Sequence, residues 1–210
     1  LMELAEAFQT LEPGPERTVV FLATTAEEQG LLGSDYYATH PVYPLEKTAG
    51  AINIDALNIH GPMNDFVIVG YGNSEMDDYA VRAAVLQDRE VLPNPDPAAG
   101  SFYRSDHFPL AKQGVPALYG HAGRDHRVHG EEWTKERADA WTAAHYHQPS
   151  DEYDPEYWDL EGAMEDIRLW FHVGLEMAYS NDFPDWHEGT EFKAVREAAM
   201  GGQEAVQTLK

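Results

Sequence analysis

Thr18-Val19-Val20-Phe21-Leu22-Ala23-Thr24-Thr25-Ala26-Glu27-Glu28 is the stretch that decides the reading of this 210-residue chain. Its first seven residues are short, β-branched and aromatic, and they follow the turn-forming Glu12-Pro13-Gly14-Pro15-Glu16. That pattern predicts a buried strand over residues 18–24. Two adjacent carboxylates where such a strand ends are costly unless something positive meets them. A metal ion answers that need: one carboxylate binds it while its neighbour works on a metal-bound water.

Working outward, Leu1, Leu4, Phe8 and Leu11 follow helical spacing, with no cap residue ahead of them and no initiator methionine. The expectation is a helix entered part-way, in a chain that is a piece of a longer protein. Downstream, Gly30-Leu31-Leu32-Gly33 reads as a tight loop and Ser34 as the cap of a short helix to His40. A second apolar run, Ala49 to Ile54, ends at Asp55, and a third runs from Phe66 to Gly70. The Ser74-x-x-Asp77 pattern predicts a helix to about Glu90; the proline-rich 91–100 reads as a loop. A short helix over 108–113, a strand over 115–119 and a polar loop over 120–132 follow. Ala163, Ile167, Trp170, Phe171, Gly174, Leu175 and Ala178 share one side of a long helix over 160–180, with Asp159 as its cap. Residues 1–182 read as one body and 183–210 as a polar tail with one helix over 192–200. Strands alternating with helices predict an α/β fold: a mostly parallel, mixed central sheet with helices on both faces, three layers in all.

Charge narrows the partners. Fourteen Lys and Arg against 37 Asp and Glu give a formal net charge of −23. Nucleic acid and anionic membranes both call for a basic surface, so neither is expected. No stretch approaches the length of a membrane span. An acid-rich, lysine-poor surface suits a high-salt environment as well as it suits simple solubility. With no cysteine there is no disulfide, thiolate zinc site or cysteine nucleophile. Nothing in the sequence speaks to an oligomeric state.

In open α/β sheets, sites form at the carboxyl ends of strands. Glu27 and Glu28 follow one predicted strand and Asp55 the next, which places three carboxylates on one rim. A borderline metal such as zinc takes at least one imidazole. Of ten histidines, His147 is the best placed, in Ala144-His145-Tyr146-His147-Gln148-Pro149-Ser150-Asp151 ahead of the last long helix. Tyr146 beside it is suited to donate to a developing oxyanion, and Asp151 to orient the imidazole. His121, His126 and His129 fit neither a helix face nor a compact chelate and read as an exposed loop. Asp106 and His107 read as lining the floor of the site rather than as ligands.

Ala26-Glu27-Glu28-Gln29-Gly30-Leu31-Leu32-Gly33-Ser34 resembles the glutamate motif of the co-catalytic di-zinc aminopeptidases, metallopeptidase family twenty-eight. Asn53-Ile54-Asp55, Ser105-Asp106-His107-Phe108 with Gly114-Val115-Pro116-Ala117, and Tyr146-His147-Gln148-Pro149-Ser150-Asp151 match its later blocks in order, over about residues 1–180. The resemblance implies a zinc-exopeptidase fold and a peptide substrate. It implies Glu27 as general base, Glu28 and His147 on one zinc, Asp55 on a second, and Tyr146 steadying the tetrahedral intermediate. It also implies export to the periplasm or beyond. The family's first ligand block, a His-x-Asp, and its bridging Asp have no counterpart in the chain. The expectation is therefore an N-terminally incomplete catalytic domain that does not assemble two zincs alone. Three alternatives share the resemblance: a non-catalytic interaction domain, another metal-dependent amidohydrolase, and a glutaminyl-cyclase-like enzyme. The interval from Asp55 to His147 is too short for the dimerisation domain that many such amidohydrolases insert. Pocket walls are expected from the loops at 91–100 and 120–141.

Overall fold

Strand β2 (Asp65–Val69) is buried along its whole length, because it lies inside the sheet with packed side chains on both faces. Side chains alternate along a strand. Phe66 and Ile68 enter one core with Leu4, Met76, Leu118, Leu169, Trp170 and Val173. Val69 enters a second with Phe102, Ala111, Trp186 and Phe192. The computed structural model describes the backbone of residues 1–207 and the side chains of residues 1–201.

The sheet has four strands in the order β1-β4-β2-β3. β1 (Ala51–Asn53) runs parallel to β4 (Ala117–Ala122), β4 antiparallel to β2, and β2 parallel to β3 (Glu90–Pro93). Among the described residues seven helices surround it: α1 (Met2–Gln9), α2 (Leu32–Thr39), α3 (Met76–Val85), α4 (His107–Lys112), α5 (Gly130–Ala144), α6 (Leu160–Tyr179) and α7 (Lys193–Gln207). α1, α3 and α6 supply the first core, while α4 and the segment leading into α7 supply the second. This is the mixed sheet between helices that the sequence predicts.

Four local expectations are corrected. Residues 18–24 belong to no strand among the described residues, and Val20, Phe21 and Leu22 stay 47%, 37% and 36% exposed. β-propensity makes a run fit for a strand, but a strand exists only where a neighbouring backbone takes its N–H and C=O groups. Residues 90–93 do find such a neighbour, so the expected 91–100 loop begins with edge strand β3; Pro93 is tolerated on that edge, and Asn94 N–H donates to Ile68 O at 3.0 Å. Ser34 does not cap α2; it lies inside the helix, buried, with its hydroxyl directed at Asp106. Residues 130–144 form helix α5 rather than loop, on a face that carries no aliphatic stripe. His129, Trp133, Arg137, Trp141 and His145 recur every four residues; Trp133 packs with His129 and under Arg137, Trp141 packs with His145, and Arg137 and Trp141 both contact the Tyr157 ring.

Asp159 caps α6 as expected, its carboxylate accepting from Glu161 N–H. Beyond residue 182, Trp186 and Phe192 are 1% and 5% exposed, and the Trp186 indole N–H donates to the Gly114 carbonyl at 3.0 Å. Arg196, also buried, donates to the carbonyls of Thr48 and Ala49. Residues 208–210 of the expected tail lie outside the described residues.

Candidate active site

Glu28 and His147 meet. His147 Nε2 lies 2.8 Å from Glu28 Oε1, although the two residues come from opposite ends of the resemblance. Both are half exposed or more, so the pair faces solvent rather than the core. The backbone is strained at His147 and just ahead of the glutamates. Ala26, immediately before the glutamates, has φ 56°, and His147 itself has φ 59°. A left-handed conformation at residues other than glycine costs of order 1 kcal/mol and persists where the surroundings over-determine it, as at functional sites. Gly33 closes the glutamate loop: its N–H donates to Thr25 O at 2.9 Å, and a Cβ there would lie 2.5 Å from Thr25 N.

Glu27 is partly buried, and its carboxyl is raised above the ordinary range, first by burial and then by the charges of Asp55, Glu28 and Asp106, with His147 opposing. A carboxylate held up in this way is a stronger base than one in open water. Tyr146 stacks on His147, ring centroids 3.9 Å apart, and its phenol is also raised, by burial and then by Glu28, Asp55 and Glu27. Glu27, Glu28, Asp55 and Tyr146 thus lie close enough to feel one another's charge, although no described strand leads into the glutamates. Asp55 stands at the end of β1 and accepts from Ser105 Oγ at 2.7 Å. Asp151 does not join this group: it is exposed, and among the described residues no contact links its carboxylate to His147.

Further polar groups surround these residues, in contacts that the sequence did not reveal. Asn53 donates to Ser105 Oγ at 2.7 Å. Tyr119, on β4, is raised to about 12, by burial and then by Asp55. Asp106 accepts from Thr24 and Ser34. His126, expected in an exposed loop, is buried at 7% exposure and organises a turn, its Nδ1 accepting from Val128 N–H and His129 N–H.

His107 is a buried neutral ring. It packs between Phe102 and Tyr119 at 4.6 and 4.8 Å, and neither ring nitrogen has a well-formed hydrogen bond. Burial pushes it down to about 3, with the Phe102 backbone pulling weakly the other way. The sign follows: below its usual 6.5 the unfolded chain binds a proton that the folded chain refuses, so stability is full above pH 6.5 and falls toward pH 3. Asp77 and Asp166, both raised to about 6 by burial, act oppositely and gain stability as pH falls from 6 toward 3.8. Replacing His107 by Phe should leave the fold intact and remove only the acid-sensitive share. Urea titrations at several pH values should show its stability falling less than the parent's between pH 6 and 4, by up to about 1.4 kcal/mol per pH unit. Parallel curves would show that His107 is not the buried neutral group described.

Zinc takes three or four protein ligands. Among the described residues no three His, Asp or Glu side chains converge as a metal cage. Glu28 and His147 form a close pair, and Asp55 adds its charge beside Glu27.

A model of Peptidase family M28 matches residues 1–171. The LapA aminopeptidase of Legionella pneumophila is similar in fold, with a TM-score of 0.58 at 14% identity, covering 86% of this chain and 45% of that one. BSAP, a zinc aminopeptidase from Bacillus subtilis, gives a TM-score of 0.60 at 21% identity, covering 89% and 42%. The chain thus spans less than half the length of these solved structures. No curated protein matches it.

Proposed function

The chain belongs to peptidase family M28, and from that premise we propose that it supplies the base and part of the metal shell of a zinc-dependent aminopeptidase. The observation that carries this reading is the contact of Glu28 with His147 beside a Glu27 whose carboxyl is raised. In this reading Glu27 takes the proton from the attacking water and delivers it to the leaving amine. Tyr146 donates its phenol O–H to the oxygen that gains charge. Glu28 and His147 hold one zinc and Asp55 a second, with the remaining ligands, a histidine and a bridging aspartate, supplied from outside these 210 residues.

Zinc calorimetry on the 210-residue chain tests that division. The expected result is no tight site, with any binding no stronger than micromolar and lost in the His147→Ala variant. Two tight sites would overturn the claim that further ligands are required. A non-catalytic domain on the same fold is the second reading, favoured by the lack of three converging ligands among the described residues. A longer protein carrying this chain that binds zinc yet hydrolyses no aminoacyl-anilide would support it.

A further inference from the structure

Two neighbouring side chains at the start of α4 each hold a different acidic loop. Asp106 accepts from Thr24 Oγ1 at 2.5 Å on one carboxylate oxygen and from Ser34 Oγ at 2.6 Å on the other. Thr24 precedes the loop that carries Glu27 and Glu28, and Ser34 follows it. One carboxylate thus spans both ends of that loop. Ser105, buried at 2% exposure, accepts from Asn53 Nδ2 at 2.7 Å and donates to Asp55 Oδ2 at 2.7 Å. The direction is fixed by chemistry: an ionised carboxylate only accepts, an amide N–H only donates, and the hydroxyl between them has one proton to give. Bonds to a charged acceptor are the strong ones. The Glu27–Gln29 turn buries none of its own residues, so packing does not anchor it.

We propose that Ser105 and Asp106 are a positioning pair, Asp106 setting the Glu27–Glu28 loop and Ser105 aiming Asp55, so that α4 fixes the spacing of the two acidic loops. The proposal rests on the reading of Glu27 and Asp55 as site residues. Neither Ser105 nor Asp106 is assigned contact with substrate.

Amide hydrogen exchange by NMR on the 210-residue chain tests it. The reporters are the N–H groups of Gly30, Leu31 and Gly33, whose acceptors, Glu27 O and Thr25 O, lie within the loop. Asp106→Ala should speed their exchange by about 10-fold or more while β2 and α6 keep their protection. Asp106→Asn keeps one acceptor oxygen and offers an N–H to the other hydroxyl, so it should return the rates to within about threefold of the parent. Ser105→Ala should leave these amides alone and shift the Asp55 carboxyl carbon resonance, which Ser105→Thr should restore. Unchanged loop exchange in Asp106→Ala, or equal exchange in the Ala and Asn variants, would overturn the clamp. Should Asp106→Ala not fold, Thr24→Val and Ser34→Ala each remove one arm and should give intermediate rates; no increase in either overturns it equally. Retained hydrolysis in a Glu27→Gln variant would instead refute the base assignment, and leaves these exchange rates untouched.

Discussion

Glu27→Gln is expected to lower hydrolysis of an aminoacyl-anilide by about 10²–10⁴-fold in a longer protein that carries this chain, with zinc content and KM little changed. Gln keeps the shape of the side chain and removes its basicity. The magnitude is that of a lost general base. Two features of the site support the choice of Glu27 over its neighbour. Glu28 is already engaged with His147 at 2.8 Å, whereas Glu27 is turned toward a more buried setting among Asp55 and Asp106. Burial there destabilises its charge, and the neighbouring carboxylates add to that, which raises proton affinity against the weaker opposing pull of His147. Glu28→Gln should behave differently, reducing zinc content together with rate. Equal rates and equal zinc in both variants would remove the distinction.

The second large effect lies away from the rim. Asp166→Ala should destabilise the fold by about 3–5 kcal/mol, read as a lower denaturant midpoint and a fall in Tm of roughly 10 °C. Arg89 Nη1 stands 2.9 Å from Asp166 Oδ1, with both side chains at most 2% exposed. Removing one partner strands a charge in the core, where its desolvation is uncompensated. Arg89 is held further by the Asp65 carbonyl, to which Nε and Nη2 donate, and it lies over the Phe66 ring. Replacing both partners, as Arg89→Met with Asp166→Leu, should recover most of the loss, because an apolar pair of similar volume needs no compensation. A double variant as unstable as the single one would show that the cost lies in packing rather than in the stranded charge. The pair bears on the site through Asp65, whose carboxylate also accepts from the N–H groups of Arg124 and Asp125 and so pins the loop after β4.

What was legible in the sequence followed from periodicity and short motifs. β2 is legible because Phe66 to Val69, buried on both faces, leave a continuous apolar run, and α6 because its stripe and its Asp159 cap agree. Glu27, Glu28, Asp55, Tyr146 and His147 stand out because unpaired acids at strand ends and a His in a pre-helical loop are chemically conspicuous. α5 was not legible, since its contact face is built from His, Trp and Arg at four-residue intervals, a pattern that an apolar count passes over. The run at 18–24 misled for the opposite reason: its propensity is strong, but pairing is a property of a neighbour, and no described strand pairs with it. Ser34, Ser105 and Asn53 stand in the quoted motifs and Thr24 in the apolar run, but their contacts were not legible, because hydroxyl and amide side chains gain a role only from the carboxylate that the fold brings to them.

The most direct test of the central claim is an anomalous difference map at the zinc edge from crystals of a longer protein that carries this chain, grown with zinc. The account predicts a zinc at about 2.0–2.2 Å from both His147 Nε2 and a Glu28 carboxylate oxygen, with Glu27 uncoordinated beside it. A zinc bound by Glu27, or no zinc at the Glu28–His147 pair, would contradict it.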